Sequence, residues 1–431
     1  MKSFVPCLFE FLIGTVSKLC RWLASEIIVI IADSFYFIRL KRVTERLYRA
    51  AMRVSPTNWR YFYEHAQLVH NDFKRPLEAL ENIEVALSLN KNRPELYELR
   101  AMIYLKRNEY EKVLRNLDQI ELGRLERTGL LFGRAVCRKI LGQYSLALQD
   151  YDIILKGNPV DVESIKGKAE CLFNLNRLEE AMEAANRGLK LNAVHEDLLR
   201  CAVDIELRRE NYEPAVMFAN RLVSASGCAA YTYDMRANAL EGYGELDRAL
   251  KDRRQAVELV PTASGYWNSL ALLYAQTGNN KEALKCYNKA IKLNPQDAKL
   301  RINRGVTFEE KGDFEKAFND FDLAVSLDGN NADSYYFRAR NLFDMGEMDK
   351  CERDINMAIK LADKDPFSFY LRGKVHEKRK DLAGALSDYS QAIVLDQEFA
   401  PAYKRRGAVY FDLGEKAKAH ADSIKAHELQ G

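Results

Sequence analysis

Apolar and polar residues follow a helical spacing along most of the chain, and residues 264–297 show it most clearly. Trp267, Leu270 and Tyr274 share one face of a first predicted helix, because residues three and four apart are neighbours on a helix surface. The pattern breaks at Gly278. A second predicted helix, ending at Pro295, carries on one face Ala283, Tyr287 and Ala290. The stretch therefore predicts two helices packed as a hairpin.

The same pattern recurs every 34 residues without an insertion. The position of Ala271 in the repeat is occupied in the other repeats by a small residue or valine. These residues are Ala101, Ala135, Ala169, Val203, Ala237, Gly305, Ala339, Gly373 and Gly407. The slot of Ala283 is equally regular, and small residues there allow helices to cross closely. The turn slot is filled by Gly142, Gly244, Gly278, Gly312, Gly346 and Gly414, where positive φ closes the hairpin. Three columns in one register predict an array of repeats rather than separate compact domains.

The residues of 264–297 resemble the tetratricopeptide repeat (TPR) pattern W-x2-L-G-x2-Y…A-x3-F…P, with Ala271 in the Gly slot and Tyr287 in the Phe slot. The resemblance extends over eleven units in continuous register, residues 60–431. It implies an all-α fold, a right-handed superhelical α-solenoid of stacked helix-turn-helix repeats. It also implies a protein that binds other proteins.

The beginning of the chain follows the repeat pattern least well. Residues 25–59 fit a degenerate first repeat, offset by one residue, and residues 1–24 form an amphipathic segment with its polar side chains on one side of a helical wheel. Residues 27–38 are apolar nearly all round, which indicates burial, a membrane or a partner. Glu26 and Asp33 interrupt any uncharged run long enough to cross a bilayer simply.

The distribution of charge does not decide between the possible roles of the N-terminal residues. The chain carries a net charge of +3, but residues 1–60 carry 10 basic and 4 acidic side chains, so the rest sums to −3. A basic cluster beside apolar helices resembles the positive-inside pattern and would attract anionic lipid. Three interpretations of residues 1–38 remain open: a cap on the array, peripheral or anchored association with a membrane from the cytoplasmic side, or a partner-binding helix. In each, the repeats lie in the cytoplasm.

Composition and motifs argue against several classes of function. The nearly balanced charge argues against a nucleic-acid-binding protein, which would show a basic stripe. The eight cysteines never form C-x-x-C, which indicates a reducing compartment. No phosphate-binding loop, zinc-protease motif or nucleophile elbow occurs. The sequence therefore predicts no enzyme, no cofactor and no metal site.

The predicted solenoid supplies a groove. Positions two, five, nine and twelve of each first helix lie off the packing face and should line the concave side. In the C-terminal units we expect partner binding by Tyr336, Arg340, Phe343, Phe367, Tyr370, Lys374, Glu377 and Lys404. Aromatic and arginine side chains are frequent hot spots, and the basic groups favour an acidic-aromatic peptide. The alternative is that these aromatics only brace neighbouring helices. A second, more polar candidate comprises Tyr231, Asp234, Asn238, Glu241 and Asn268.

Some TPR domains bind the terminal carboxylate of a heat-shock chaperone with a clamp of Lys, Asn and Arg side chains. The nearest match here is Asn238, Ser269 and Lys299. However, Asp234 stands where the first Lys belongs, and Asn303 replaces the Arg. This charge pattern would repel a carboxylate, so we predict no chaperone carboxylate clamp.

Two functions fit these observations. The first is a non-enzymatic scaffold or adaptor that binds a peptide or partner segment in the groove. The alternative is a structural subunit of a larger, membrane-associated assembly, which uses its apolar N-terminal end as a permanent contact.

Overall fold

The structure is a computed structural model that describes residues 21, 23–34, 36 and 41–429, with only the backbone of 126–128. Over these residues the chain is helical and contains no strand. The chain divides into two compact units at Arg209 and Glu210. The predicted fold class, an all-α solenoid of stacked helix hairpins, is confirmed.

The first unit ends at Arg209, and its described helices pack mainly on their neighbours in the chain. These helices are α1 (23–34), α2 (Lys41–Val54), α3 (Trp59–Asn71), α4 (Pro76–Leu89), α5 (Pro94–Leu105), α6 (Tyr110–Leu117), α7 (Leu122–Thr128), α8 (Leu130–Ile140), α9 (Tyr144–Gly157), α10 (Val162–Asn174), α11 (Leu178–Leu191) and α12 (Glu196–Arg208).

The second unit begins at Glu210, and its most extensive contacts join the two helices of each hairpin. Its described helices are α13 (Tyr212–Ala225), α14 (Ala230–Tyr243), α15 (Leu246–Leu259), α16 (Ser264–Gln276), α17 (Asn280–Leu293), α18 (Ala298–Glu310), α19 (Phe314–Leu327), α20 (Ala332–Asp344), α21 (Met348–Leu361), α22 (Pro366–Lys378), α23 (Leu382–Leu395), α24 (Ala400–Asp412) and α25 (Lys416–Glu428).

The turn inside each hairpin has one residue in the left-handed backbone region. Six turns use the predicted glycines, with φ between 74° and 88°. In five further turns the same position has φ between 55° and 63°. It is occupied there by Lys74, Asn108, Asn176, Glu210 and Lys380. A non-glycine residue in this conformation costs about 1–2 kcal/mol. Packing of the two helices, rather than glycine, therefore holds the turns at Lys74, Asn108, Asn176 and Lys380.

The two helices of a hairpin cross closely where a small residue faces a large buried side chain. Gly305 on α18 faces Phe321 on α19, and a Cβ added at Gly305 would lie 2.6 Å from Cε1 of that ring. Phe321 is fully buried, so the ring has no room to move away. In the neighbouring hairpin Ala271 and Tyr287 are equally buried in one core cluster.

The 34-residue register places the start of a first helix at Thr128, but α8 begins at Leu130. Gly129 has a φ of 71°, which separates α8 from the short helix α7. The preceding second helix, α6, has only 8 residues, whereas α4 has 14. The short helix α7 is therefore formed by residues that, in other repeats, belong to the C-terminal part of the second helix.

Helix α1 packs on the second and third helices through one face. Val29 and Ala32 are buried against Tyr48, and the Tyr61 hydroxyl lies 2.8 Å from the Ser25 hydroxyl oxygen. Nearly all of the amphipathic segment predicted for residues 1–24 lies outside the described residues. Among the described helices, none combines the length and apolar character needed to cross a membrane.

The close crossing generates a testable prediction. We expect Gly305→Ala to lower the free energy of unfolding by about 1–2 kcal/mol, because overpacking outweighs the gain in helix propensity. Gly265→Ala is the matched control, since Gly265 is also helical and an added Cβ would meet nothing within 4 Å. Urea unfolding of both variants measures the difference. Equal stability of the two variants would contradict the packing described above.

Candidate functional site

The C-terminal set of predicted binding residues lies on three first helices of the second unit. Helix α20 carries Tyr336, Arg340 and Phe343; α22 carries Phe367, Tyr370, Lys374 and Glu377; and α24 carries Lys404. The structure brings some of these side chains together and turns others towards partners inside the protein.

Three aromatic rings meet beside the start of α24. The ring of Phe399, the residue that precedes α24, lies 5.1 Å from the ring of Phe367 and 5.2 Å from that of Tyr370, in edge-to-face geometry. Tyr370 also lies 5.7 Å from the buried ring of Tyr389. Phe367 remains 50% exposed. Core packing therefore fixes this cluster while leaving an aromatic surface open to solvent.

Lys374 is a half-buried cation beside an aromatic ring. Its ammonium nitrogen lies 4.2 Å from the ring centroid of Phe343, which is a cation–π distance. Burial lowers the pKa of Lys374 below its ordinary value. No carboxylate of the described residues forms an ion pair with it within 4.0 Å. The charge is thus partly removed from water without an ion pair, and Asp344 and Glu377 act on it only from a greater distance.

Arg340 and Tyr336 have partners within the protein. The Arg340 guanidinium donates to the Glu309 carboxylate and lies 4.8 Å from the ring of Phe337. Burial raises the pKa of Glu309, and the nearby Arg340 partly offsets this. The ring of Tyr336 packs edge-on against Phe337 at 5.4 Å. These two residues match the alternative in which side chains brace neighbouring helices.

Glu377 and Lys404 also differ in their surroundings from Lys374. Glu377 accepts hydrogen bonds from the Tyr389 hydroxyl at 2.7 Å and from Arg405 at 3.2 Å. Lys404 is exposed and lines a cavity of about 650 Å³ between α24 and α25.

We therefore define the Lys374 face as the following residues: Phe343, Phe367, Tyr370, Lys374 and Phe399.

The second candidate set is bound by an arginine of the same hairpin. Arg253 on α15 is only 4% exposed. Its guanidinium donates to the Asp234 carboxylate, to Asn238 Oδ1 at 2.5 Å and to Glu241 Oε1 at 2.9 Å. Three of the polar side chains expected to face a ligand are therefore occupied by this buried cation.

The remaining two residues of that set are also engaged. Asn268 Oδ1 accepts a hydrogen bond of 3.0 Å from Asn303 Nδ2. Tyr231 is half-buried and interacts with another part of the protein. Arg253 stands where other second helices carry a buried ring, as at Tyr287 and Phe321. The sequence signal for this network was an arginine at a repeat position that is otherwise apolar from Ile83 to Tyr389.

A column of arginines on the first helices was missed by the sequence analysis. Arg338 on α20 donates to both carboxylate oxygens of Asp354 on α21, at 2.6 and 2.7 Å, and to Asp322 on α19 at 2.7 Å. Each such arginine therefore joins its own hairpin to the preceding one. Comparable pairs are Arg134 with Asp150, Arg236 with Asp252, Arg304 with Asp320, Arg372 with Asp388 and Arg406 with Asp422. Their 34-residue spacing could have revealed them.

One group of side chains has the composition of a metal site. The ligand atoms of Glu45, His65 and Glu78 lie within 4.8 Å of one another. However, Arg49 and Arg75 each donate to both carboxylates, at distances of 2.7–2.9 Å. His65 Nε2 faces Arg49 Nε at 3.4 Å. The carboxylates are therefore neutralised by two guanidinium groups, and a cation would have to displace them.

Three protein-family models match parts of the chain. A model described as TPR repeat matches residues 271–312, and two described as Tetratricopeptide repeat match residues 141–194 and 298–331. Repeats of this kind are generally non-enzymatic interaction modules. A comparison with curated proteins gave no match.

Among the similar solved structures, yeast Tom70 supports the same fold. The alignment with yeast Tom70 has 13% identity and a TM-score of 0.53, and covers 94% of this chain and 99% of that one. Cut9 from the APC/C hetero-tetramer Cut9–Hcn1 gives 15% identity, 96% and 89% coverage, and a TM-score of 0.42. YrrB, described as a TPR protein with an unusual peptide-binding site, gives 22% identity, 43% and 95% coverage, and a TM-score of 0.36. At these identities the likeness concerns the fold alone.

The Arg253 network generates a prediction about stability. Arg253→Leu should lower the free energy of unfolding by about 2 kcal/mol, because Asp234 and Glu241 lose their counter-charge. The loss falls below that of a fully buried pair because both carboxylates are 24% exposed. Adding Asp234→Asn and Glu241→Gln should restore most of it. Urea unfolding measures each variant.

The control for this prediction is Arg248→Leu, on the same helix. Arg248 makes an exposed ion pair with Glu245, and such pairs contribute at most about 1 kcal/mol. A loss no greater in Arg253→Leu than in Arg248→Leu would contradict a stabilising role for the network.

Proposed function

Because the chain is a tetratricopeptide-repeat protein, we propose that it is a non-enzymatic scaffold that binds a segment of another protein on the Lys374 face. The segment carries an acidic side chain next to aromatic or aliphatic ones. The observation that carries this proposal is the half-buried Lys374 ammonium, which lies over the ring of Phe343 and forms no ion pair within 4.0 Å with a carboxylate of the described residues.

Electrostatics supports an acidic ligand. A cation that leaves water without an anionic partner loses hydration free energy. An incoming carboxylate at Lys374 supplies the missing partner and gains a charge-assisted hydrogen bond. Arg340 and Arg405 differ, since each already binds a glutamate. Lys374 is therefore a half-buried cation that a ligand can use without breaking an existing ion pair.

The neighbouring rings support an apolar contact beside the acidic one. Phe367 is half-exposed, and its ring is held by Phe399 and Tyr370. A ring fixed before binding loses little conformational freedom when a partner covers it. Buried aromatic anchors of this type dominate many protein interfaces. The Lys374 face thus combines one cation with a rigid aromatic surface.

The structure gives no support to a chaperone-tail ligand at the second candidate set. Asn238, the nearest match to a clamp asparagine, accepts a hydrogen bond from Arg253, and Asp234 binds the same guanidinium. A terminal carboxylate there would meet Asp234 and Glu241. We therefore extend the proposal to exclude a chaperone carboxylate clamp at this position.

Charge reversal tests the proposed ligand class. Lys374→Glu should weaken binding of immobilised peptides in which Phe alternates with Glu by roughly tenfold or more, because repulsion replaces the ion pair. The double variant Arg340→Glu with Lys374→Glu should abolish capture. The measurement is pulldown of the full chain on these peptides, with peptides that carry Lys or Ser in place of Glu as comparison.

The matched control is Lys360→Glu, which makes the same charge change at an exposed residue of α21. It should bind like the unmodified chain. Equal capture of the unmodified chain and Lys374→Glu, or capture that ignores the charge of the peptide, would place the site elsewhere.

A second candidate function, a structural subunit of a larger assembly, is favoured by the outer face of α1. Its exposed apolar residues, on the side away from Val29 and Ala32, are Leu23, Ile27, Ile30 and Ile31, at 42–63% exposure. Such a stripe is typical of a permanent contact. A membrane-associated assembly and a cytoplasmic location stay predictions, as do the boundaries of the N-terminal segment, the degenerate repeat and the eleven repeats.

Crosslinking mass spectrometry on native cells tests this second role. Lys2, Lys18 and Lys41 flank the α1 stripe in sequence, and they should crosslink to another protein. Ile27→Asp with Ile30→Asp should remove those crosslinks, because two carboxylates oppose burial. Crosslinks confined to this chain would instead identify residues 1–24 as a cap, and recovery in the membrane fraction only when residues 1–24 are present would identify a membrane anchor.

A further inference from the structure

The cavity of about 650 Å³ between α24 and α25 is here called the Ser423 cavity. Its lining runs from the buried Gly407 on α24 to the exposed Ser423 and Lys416 on α25. Among the described helices, α25 has extensive contacts with α24 alone. The cavity is therefore open to solvent and also reaches the point where the two helices cross.

This hairpin lacks the large ring that fills the crossing of the preceding one. There the fully buried ring of Tyr389 faces Gly373, and a Cβ added at Gly373 would lie 2.6 Å from Cε1 of that ring. One repeat later the equivalent pair is Gly407 and Ser423. The nearest neighbours of a Cβ added at Gly407 would be Asp422 Cβ and backbone atoms of α25. The cavity thus contains space that a ring occupies elsewhere, and its walls lack the contacts of a packed interior.

The cavity also lies on a face that a helix covers in the preceding hairpin. Ala392 and Ile393 of α23 are buried in one cluster with Ala402 of α24, the first helix of the next hairpin. The equivalent residues of α25 are Ala426 and His427, and both line the cavity. A packed helix is therefore the shape that this face of the repeat accepts.

The lining of the Ser423 cavity is basic. It contains Lys404, Lys416, His420 and His427, and no acidic residue. Neither lysine forms an ion pair within 4.0 Å among the described residues. The helices α24 and α25 together carry six lysines or arginines and three acidic residues, a net charge of +3. This charge favours an acidic ligand.

The carboxylates near the cavity leave both lysines available. Three of them, on or next to α25, are bound by basic residues of the same hairpin. These pairs are Asp422 with Arg406, Glu428 with Lys425 and Glu415 with Lys418. The remaining one, Asp412 at the end of α24, does not line the cavity.

We propose that the Ser423 cavity binds an acidic helix of a partner protein. One aromatic side chain of that helix enters the cavity and takes the place that the Tyr389 ring fills in the preceding hairpin. Acidic side chains on the same face of the helix pair with Lys404 and Lys416. No residue of the Lys374 face lines this cavity, so the scaffold has two separate binding surfaces.

Selection of helical peptides from a phage-displayed library tests this proposal. The target is the full chain with Lys374→Glu, so that the Lys374 face does not contribute. Enriched peptides should share one aromatic residue with Glu or Asp three or four positions away, which places both on one face of the helix. Fluorescence anisotropy of the synthetic peptides then measures their affinity for each variant.

The variant Ser423→Phe restores the ring that Phe321 supplies at the equivalent position of α19. It should raise the melting temperature, because the ring fills the cavity, and weaken peptide binding by roughly tenfold or more, because the ligand's ring is excluded. Lys404→Glu with Lys416→Glu should also weaken binding by roughly tenfold or more. The control is Lys425→Glu, at an exposed residue of α25 outside the lining, which should leave the affinity unchanged.

Three results would overturn the proposal. They are no enrichment of acidic peptides, equal binding by Ser423→Phe, and dimers in sedimentation of the unmodified chain that Ser423→Phe abolishes. The last result would assign this face to a second copy of the chain. Peptide binding that Lys374→Glu removes and Ser423→Phe retains belongs to the Lys374 face, so failure of one proposal can be told from failure of the other.

Discussion

The hairpins α16–α17, α18–α19 and α22–α23 depend on the contact between a small residue of the first helix and a large buried ring of the second. At Gly305 the facing ring of Phe321 leaves no room even for a methyl group. This contact sets how closely the helices approach and therefore where every other side chain of the hairpin points. Where the ring position holds Arg253, the same close approach buries a cation. Asp234, Asn238 and Glu241 then satisfy that cation instead of facing a ligand.

Pairing of most charges on the helices makes one unpaired group informative. Arg338 and its equivalents bind acidic, amide or hydroxyl side chains on two adjacent second helices. Lys374 is half-buried and forms no ion pair within 4.0 Å with a carboxylate of the described part of the chain. Burial without compensation opposes folding, whereas it favours association with a group of opposite charge.

Much of the fold could be predicted from the sequence, because repeat spacing reports which side chains share a helix face. The helices α10, α14 and α22 begin at Val162, Ala230 and Pro366, where the 34-residue register starts a unit. The short helix α7 could not be predicted this way, because it depends on where α6 ends and on the backbone of Gly129.

The candidate site was less predictable than the fold. Position in a helix indicates which side chains leave the packing face, but not which partner reaches them first. Arg253 lies 19 residues after Asp234 and on another helix, and Glu309 reaches Arg340 from the preceding hairpin. Phe399 precedes its helix and so fell outside the positions considered. Contacts of this kind depend on side-chain length and direction, which periodicity does not report.

The arginine column has a mechanical consequence for the second unit. Arg338 fastens α20 to α19 and to α21 by bonds that run across the helices, and the main contacts of each helix are with its neighbours in the chain. A pulling force on such a stack is therefore carried by the hairpins in series. The small extensions of successive hairpins add up. The whole stack therefore lengthens easily, while each arginine–carboxylate pair is only slightly strained.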